Sequence, residues 1–65
     1  MKLIINGEAR EIAAHDVGEL IAALGLPAPA MLVEHNGVAL RREEWAAARL
    51  AEGDRIEVVR IVAGG

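Results

Sequence analysis

The sequence lacks several residue types on which common protein chemistry depends. It contains no cysteine, which excludes a disulfide framework, a cysteine-ligated zinc or iron–sulfur site, and thiol catalysis. It also contains no serine, threonine or tyrosine, so Lys2 and the carboxylates alone remain of the usual side-chain nucleophiles. This composition argues against an enzyme that works through its own side chains. We assign no catalytic residue and no metal ligand.

An excess of basic residues and a long apolar run are absent as well. Ten acidic residues against seven Lys and Arg give a net charge of −3, the wrong sign for binding nucleic acid or an anionic membrane surface. No apolar run approaches the ~20 residues of a membrane span. The N-terminal segment breaks after three apolar residues at Asn6-Gly7, unlike a signal peptide. We therefore expect a soluble, cytoplasmic protein.

Two Asn-Gly dipeptides predict two β-hairpins, because Asn-Gly tolerates the positive φ angles of a tight turn. The predicted strand pairs are Lys2–Asn6 with Glu8–Ile12, and Met31–His35 with Val38–Leu40. A fifth strand is predicted at Arg55–Ile61, after a turn at Glu52-Gly53-Asp54. His15 and His35 fall near these predicted turns, and we interpret both as solvent-facing.

One amphipathic helix is predicted between the hairpins. Asp16 is the expected N-cap, with Glu19 three residues later, and Gly25 is placed to end the helix in a left-handed conformation. One apolar stripe follows the cap: Val17, Leu20, Ile21 and Leu24. Leu26–Pro29 is expected to cross over as an extended segment. Arg41–Leu50 is predicted to be a short helical or 3₁₀ piece.

The first and last strands carry apolar residues on both faces, which is typical of strands in the middle of a sheet. If they are neighbours, they run parallel and the helix packs across one face. We therefore predict an α+β fold in which a mixed sheet of about five strands grasps one short helix. The 65 residues allow one domain, with a globular part at residues 1–61 and a flexible tail at residues 62–65.

The C-terminal Gly64-Gly65 pair follows directly after the predicted central strand. The α-carboxylate of Gly65 is ionised at neutral pH and becomes electrophilic only when activated, for example as an acyl-adenylate. Two residues without Cβ atoms allow the tail to thread a narrow channel. From Val62 the extended reach is roughly 13 Å. The alternative interpretation is that the terminal glycines are merely disordered, as chain ends often are.

The chain resembles the ThiS family of sulfur carriers, which belongs to the ubiquitin-like β-grasp superfamily. The resemblance covers the whole chain in order, and its matching segments are Ile5-Asn6-Gly7-Glu8, Val33-Glu34-His35-Asn36-Gly37, Arg42-Glu43-Glu44-Trp45, Leu50, Gly53-Asp54-Arg55-Ile56-Glu57-Val58-Val59 and Val62-Ala63-Gly64-Gly65. Each segment alone is a weak signal, but their ordered combination is specific.

The resemblance implies a cosubstrate rather than a catalyst, with no cofactor of its own. A ThiF-like activating enzyme would use ATP to adenylate the carboxylate of Gly65. Sulfur from a persulfide donor would convert this carboxylate to a thiocarboxylate, and thiazole synthase would take the sulfur to build a thiazole for thiamine biosynthesis. Gly64, Ala63 and Val62 would thread the tail into the active sites of these partners.

Four further residues are candidates for a partner surface. Val59 and Ile61 are expected to leave an apolar patch on the open face of the sheet, where the activating enzyme would dock. Arg60 either grips an acidic partner surface or lines a polar strand edge. Trp45, the single aromatic residue, either fills the edge of a small core or forms an exposed partner anchor.

Three other functions remain open from the sequence. The chain could serve another pathway as a sulfur carrier, namely molybdopterin synthesis, tRNA thiolation or cysteine synthesis. It could be a ubiquitin-like modifier in which Gly65 forms an isopeptide bond with a target lysine. It could also be an interaction domain with an inert tail.

Overall fold

The computed structural model describes residues 1–62. Its strands and helix are β1 (Lys2–Ile5), β2 (Glu8–Glu11), α1 (Val17–Ala23), β3 (Met31–His35), β4 (Val38–Leu40) and β5 (Arg55–Arg60). Two 3₁₀ segments lie at Ala28–Ala30 and Arg42–Ala47. The predicted order of two strands, one helix and three strands is confirmed, and the segment predicted as helical or 3₁₀ is 3₁₀.

The five strands form one mixed sheet in the order β2-β1-β5-β3-β4. β1 and β5 are parallel neighbours, with Ile4 opposite Arg55 and Ile5 opposite Ile56, and the other three pairings are antiparallel. Helix α1 covers one face of this sheet. The predicted β-grasp architecture, with its first and last strands parallel inside the sheet, is confirmed.

Helix α1 begins and ends as its sequence predicts. The Asp16 carboxylate accepts a hydrogen bond of 2.8 Å from the Glu19 backbone N–H, and the Glu19 carboxylate accepts one of 2.8 Å from the backbone N–H of His15. The first bond satisfies a donor that a helix start leaves unpaired, and the second fixes the chain one residue before the N-cap. Gly25 follows the helix with φ of 70°. The buried face of the helix consists of Val17, Leu20 and Ile21.

The core lies between α1, the inner face of the sheet and the second 3₁₀ segment. Its fully buried side chains are Leu3, Val17, Leu20, Ile21 and Ile56. Trp45 closes this core and is 4% exposed, so of the two alternatives for Trp45 the position in the core is confirmed and the exposed partner anchor is wrong. In so small a core the indole is the largest apolar surface available, and burying it is the more favourable use of the side chain.

The crossover between α1 and β3 is not extended throughout, which corrects the expectation for Leu26–Pro29. Pro27 is extended, but Ala28–Ala30 form a 3₁₀ turn in which the Ala30 N–H donates to the Pro27 carbonyl over 2.8 Å. Proline fixes φ near −65°, a value that both extended and 3₁₀ backbone adopt. The prolines therefore excluded a continued α-helix without deciding between these two alternatives.

Both Asn-Gly turns have the predicted positive φ angles and also bind the central strand. Asn6 and Asn36 each have φ of 49°. The Asn6 side chain accepts a hydrogen bond from the Val58 N–H over 2.8 Å and donates to the Val58 carbonyl over 3.1 Å. The Asn36 side chain accepts from the Arg55 N–H over 2.8 Å. The two turns therefore hold β5 at its start, through Arg55, and in its second half, through Val58.

His35 and Asp54 form a mostly buried side-chain hydrogen bond, with 2.7 Å between His35 Nε2 and Asp54 Oδ2. The prediction of His35 as a solvent-facing residue is therefore wrong, whereas His15 is exposed as predicted. Asp54 also accepts hydrogen bonds from the Ala51 N–H and the Asn36 amide. Burial, the largest influence, raises the pKa of Asp54, but the bonds from His35, Ala51 and Asn36 together outweigh it and hold this pKa below its ordinary value.

No helix within residues 1–62 is long and apolar enough to cross a membrane.

We predict that Asp54→Asn lowers the free energy of unfolding at pH 7 by about 1–3 kcal/mol, because a mostly buried, charge-assisted hydrogen bond is lost. The folded-state pKa of Asp54 is lowered, so its stabilising effect is present at neutral pH. This effect disappears as the pH falls below about 4 and through the lowered pKa. Urea denaturation at a series of pH values measures both effects.

The control for this experiment is Glu43→Gln, which changes an exposed carboxylate and should leave stability unchanged. A stability difference between wild type and Asp54→Asn that stayed constant from pH 7 down to pH 2.5 would contradict the interpretation.

We also predict that Asn6→Asp destabilises the protein by about 1–3 kcal/mol, because the carboxylate can still accept from the Val58 N–H but cannot donate to its carbonyl. Amide hydrogen exchange at Val58 and its neighbours measures the loosening of β5 directly. The matched change Asn36→Asp keeps its acceptor for the Arg55 N–H but replaces the donor to the Asp54 carboxylate by a like charge, so it should loosen the start of β5 instead. Equal effects of both variants along all of β5 would refute this assignment.

Candidate functional site

The candidate site is the chain segment that leaves the sheet after β5. On one side β3 pairs with β5 over its last five residues, from His35 opposite Ile56 to Met31 opposite Arg60. The Ile61 N–H then donates to the Ala30 carbonyl over 2.6 Å, so the ladder is continued one residue past the strand. Val62 is 83% exposed. The chain is thus held up to Ile61 and emerges into solvent at Val62.

On its other side the end of β5 has no neighbouring strand, because β1 stops at Ile5. The Asn6 side chain bonds both backbone groups of Val58 at this position, as a strand residue would. Sequence reasoning assigned Asn6 to turn chemistry alone and missed this role. The sequence did contain one indication of this role, because an Asn side chain, unlike that of Asp, both donates and accepts a hydrogen bond.

The predicted tail residues are only partly within the described chain. Val62 is exposed, as a threading segment requires. Ala63, Gly64 and the predicted sulfur-carrying Gly65 lie outside residues 1–62, and their assignments stay predictions.

The outer face of the sheet, opposite α1, carries the predicted apolar patch. Ile56 and Val58 point into the core, and strand alternation places Val59 on the other face, where it is 57% exposed. Ile61 is 46% exposed. Leu32 lies directly opposite Val59 in the β3–β5 pairing and is 56% exposed. Leu32 was missed because the sequence does not give the register that brings it beside Val59.

Two carboxylates adjoin this apolar pair. Glu34 lies directly opposite Glu57 in the same ladder, and Ala39 lies opposite Glu34 on β4. Together these positions border a shallow recess of about 370 Å³, whose lining residues are Leu32, Val33, Glu34, Ala39, Leu40, Glu57 and Val59. The ion pairs found within residues 1–62 involve neither of the two glutamates. We call the set Leu32, Glu34, Glu57 and Val59 the outer patch.

The other two predicted partner-surface residues lie elsewhere. Arg60 faces the helix side, where it borders a second recess together with Arg10 and the apolar side chains of Leu24 and Leu26. Trp45 is in the core, with the Arg42 guanidinium 5.3 Å from its ring centroid, and its buried Nε1 has no hydrogen-bond partner within residues 1–62. The structure therefore brings Val59 and Ile61 together and separates Arg60 and Trp45 from them.

Residues 1–62 contain no group of three or more His, Cys, Asp or Glu side chains that could hold a metal ion. His35 and Asp54 lie near the start of β5, at the opposite end of the strand from Val62, so they are too far from the emerging chain to act on it. What the site offers is a rigidly held strand, an exposed chain end and one apolar, acidic face beside it.

Comparisons with known proteins agree with this architecture. The model of the ThiS family matches residues 3–65. The crystal structure of the thiamine biosynthesis protein ThiS from Geobacter metallireducens is 33% identical, covers 100% of both chains and superposes with a TM-score of 0.86. The solution structure of a thiamine biosynthesis protein from the same organism is also 33% identical, with a TM-score of 0.81, over 100% of this chain and 88% of that one.

A curated relative is the thiazole synthase of Paramagnetospirillum magneticum, which is 35% identical over 66 residues. The match covers 100% of this chain but spans only 20% of the length of that protein. The family model and the full-length structural match together confirm the resemblance drawn from the sequence. This chain belongs to the ThiS family.

Proposed function

We propose that the chain is a sulfur carrier of thiamine biosynthesis and acts as a cosubstrate rather than an enzyme. A ThiF-like activating enzyme adenylates the carboxylate of Gly65, which then becomes a thiocarboxylate that donates sulfur to thiazole synthase. The observation that carries this proposal is the reach of the family match, which extends to residue 65 and so includes Gly64-Gly65.

The chemistry requires groups that partners supply. A carboxylate oxygen of Gly65 attacks the α-phosphate of ATP and pyrophosphate leaves, which makes the carbonyl electrophilic. The terminal sulfur of a persulfide donor attacks this carbonyl and displaces AMP. A second thiol then attacks the donor's sulfur in the resulting S–S bond, so that a new disulfide forms with the donor and the thiocarboxylate leaves. The chain itself binds no cofactor in these reaction steps, because the activating enzyme holds the ATP. We place these steps in the cytoplasm.

The geometry of β5 suits a carrier of this kind. The backbone is hydrogen-bonded to the rest of the fold as far as Ile61, and Val62 is exposed. The boundary between the folded part and the tail therefore lies between these two residues. From Val62 the extended tail spans roughly 13 Å, long enough to enter a partner's active site while the sheet stays outside. Val59 and Ile61 provide the apolar docking surface beside this tail, and Arg60 provides a second contact on the helix side.

The thiazole synthase relative supports thiamine biosynthesis over the other sulfur-transfer pathways. A protein of that name contains a stretch similar to the whole of this chain, which links this sequence to thiazole synthase as a partner. No comparable observation favours molybdopterin synthesis, tRNA thiolation, cysteine synthesis or protein modification.

We predict that incubation with a ThiF-like enzyme, ATP and a persulfide donor produces a thiocarboxylate at Gly65. Exchange of oxygen for sulfur changes the mass by nearly as much as oxidation of Met1, Met31 or Trp45. Tandem mass spectrometry must therefore localise the change to Gly65, and the same spectrum establishes whether Gly65 carries a free carboxylate. A Gly65 that keeps a plain carboxylate while known carriers react, or a thiocarboxylate that forms without ATP, would refute the proposal.

Deletion of Gly65 tests the same chemistry by removing the residue whose carboxylate is adenylated. The truncated chain should retain its thermal unfolding midpoint, because the bonds that hold β5 are made by residues up to Ile61. It should nevertheless lose ATP–pyrophosphate exchange with the activating enzyme. The matched control is Gly65→Ala, which keeps the length and the carboxylate but adds a Cβ, and it should exchange more slowly than wild type without losing the reaction. Undiminished exchange by the truncated chain would count decisively against a carrier function.

A further inference from the structure

The outer patch combines an exposed apolar pair with two opposed carboxylates. Leu32 and Val59 are directly paired and each more than half exposed, so they present one continuous apolar surface. This surface borders a recess of about 370 Å³, large enough to receive a side chain of a partner. Burial of an exposed aliphatic pair of this kind is favourable and accounts for association without indicating which partner binds.

The charges beside this surface narrow the choice of partner. Glu34 and Glu57 are directly opposite each other on neighbouring strands, an arrangement of like charges that destabilises a folded sheet. Arg55 lies on the same face two residues along β5, yet it forms no ion pair with either glutamate within residues 1–62. The two carboxylates are therefore available to a cation from outside the described chain.

Three kinds of occupant are disfavoured by this charge. A second copy of the chain laid face to face would bring four carboxylates together. Nucleic acid and anionic lipid would both oppose phosphates to the two glutamates. An apolar side chain flanked by a guanidinium or an ammonium group fits both features at once, because the first fills the recess beside Leu32 and Val59 and the second pairs with the carboxylates.

We propose that Glu34 and Glu57 are the specificity determinants of this docking face, and that they pair with an Arg or Lys which the activating enzyme presents next to an apolar side chain. This inference rests on the proposed sulfur-carrier function and identifies the chemistry of the partner's contact surface. Val59 lies three residues before Val62, so a partner held on the outer patch also receives the emerging tail at a fixed distance. The repulsion between the carboxylates in the free protein is relieved when the cation binds.

The test is ATP–pyrophosphate exchange with the activating enzyme, measured over a range of carrier concentrations. We predict that Glu34→Gln/Glu57→Gln raises the KM for the carrier by about tenfold, because charge complementarity is lost, and leaves kcat within about twofold. The KM of wild type should rise with salt, whereas the KM of the double variant should change little. The double variant should also unfold at a higher temperature than wild type, since the opposed charges are removed.

The matched control is Glu8→Gln/Glu43→Gln, which removes the same two charges from exposed positions outside the outer patch. This variant should keep the KM of wild type, which separates a local contact from an effect of net charge. Leu32→Ala tests the apolar half of the surface and should raise KM with little change in salt dependence.

Several outcomes would overturn the inference. One is an unchanged KM in Glu34→Gln/Glu57→Gln, and another is an equal rise in both double variants. A third is a lower unfolding temperature of Glu34→Gln/Glu57→Gln. A fourth is sedimentation of wild type as a dimer that Val59→Asp dissociates, which would assign the face to a second copy. Failure of the proposed function itself looks different, because then wild type supports no exchange at any concentration.

Discussion

The parallel pairing of β1 with β5 is the contact on which the rest of the structure depends. It joins strands from opposite ends of the chain and is sealed by hydrogen bonds from the Ile4 N–H to the Asp54 carbonyl and from the Asn6 N–H to the Ile56 carbonyl, each 2.9 Å long. The buried Leu3 and Ile56 lie on its inner face, where α1 packs. Every other element is placed by this pair, since β2 borders β1 and β3 borders β5. The loop-closure entropy that such a distant contact costs is offset by one shared core.

Much of this fold follows from local residue chemistry. Asn-Gly at positions 6–7 and 36–37 specifies two tight turns, Asp16 and Glu19 specify a helix start, and apolar residues on both faces place the first and last strands inside the sheet. Each of these features acts over a few neighbouring residues, so one sequence suffices to recognise it. Part of the candidate site was accessible in the same way, because strand alternation alone places Val59 on the face opposite the core, where it is exposed. The assignment of Gly64-Gly65 stays a prediction.

The remainder depends on which distant residues meet, and a single sequence does not supply that information. The bonds from Asn6 to Val58 join positions 52 apart, and the pairing of His35 with Asp54 arises only when β3 lies beside β5. The opposition of Glu34 and Glu57 likewise requires the register of two strands. The burial of Trp45 was one of two open alternatives, and it was decided by the packing of the second 3₁₀ segment, which carries the indole, against α1.

The direction of β5 relative to β1 has a mechanical consequence. Because the two strands are parallel, the start of β1 and the end of β5 lie at opposite ends of their shared ladder. A pulling force between Met1 and Val62 therefore runs along the strands and loads the inter-strand hydrogen bonds in shear, all at once, instead of opening them one after another. The strand that extends into the exposed chain end is thus held against β1 by hydrogen bonds that fail together and not in succession.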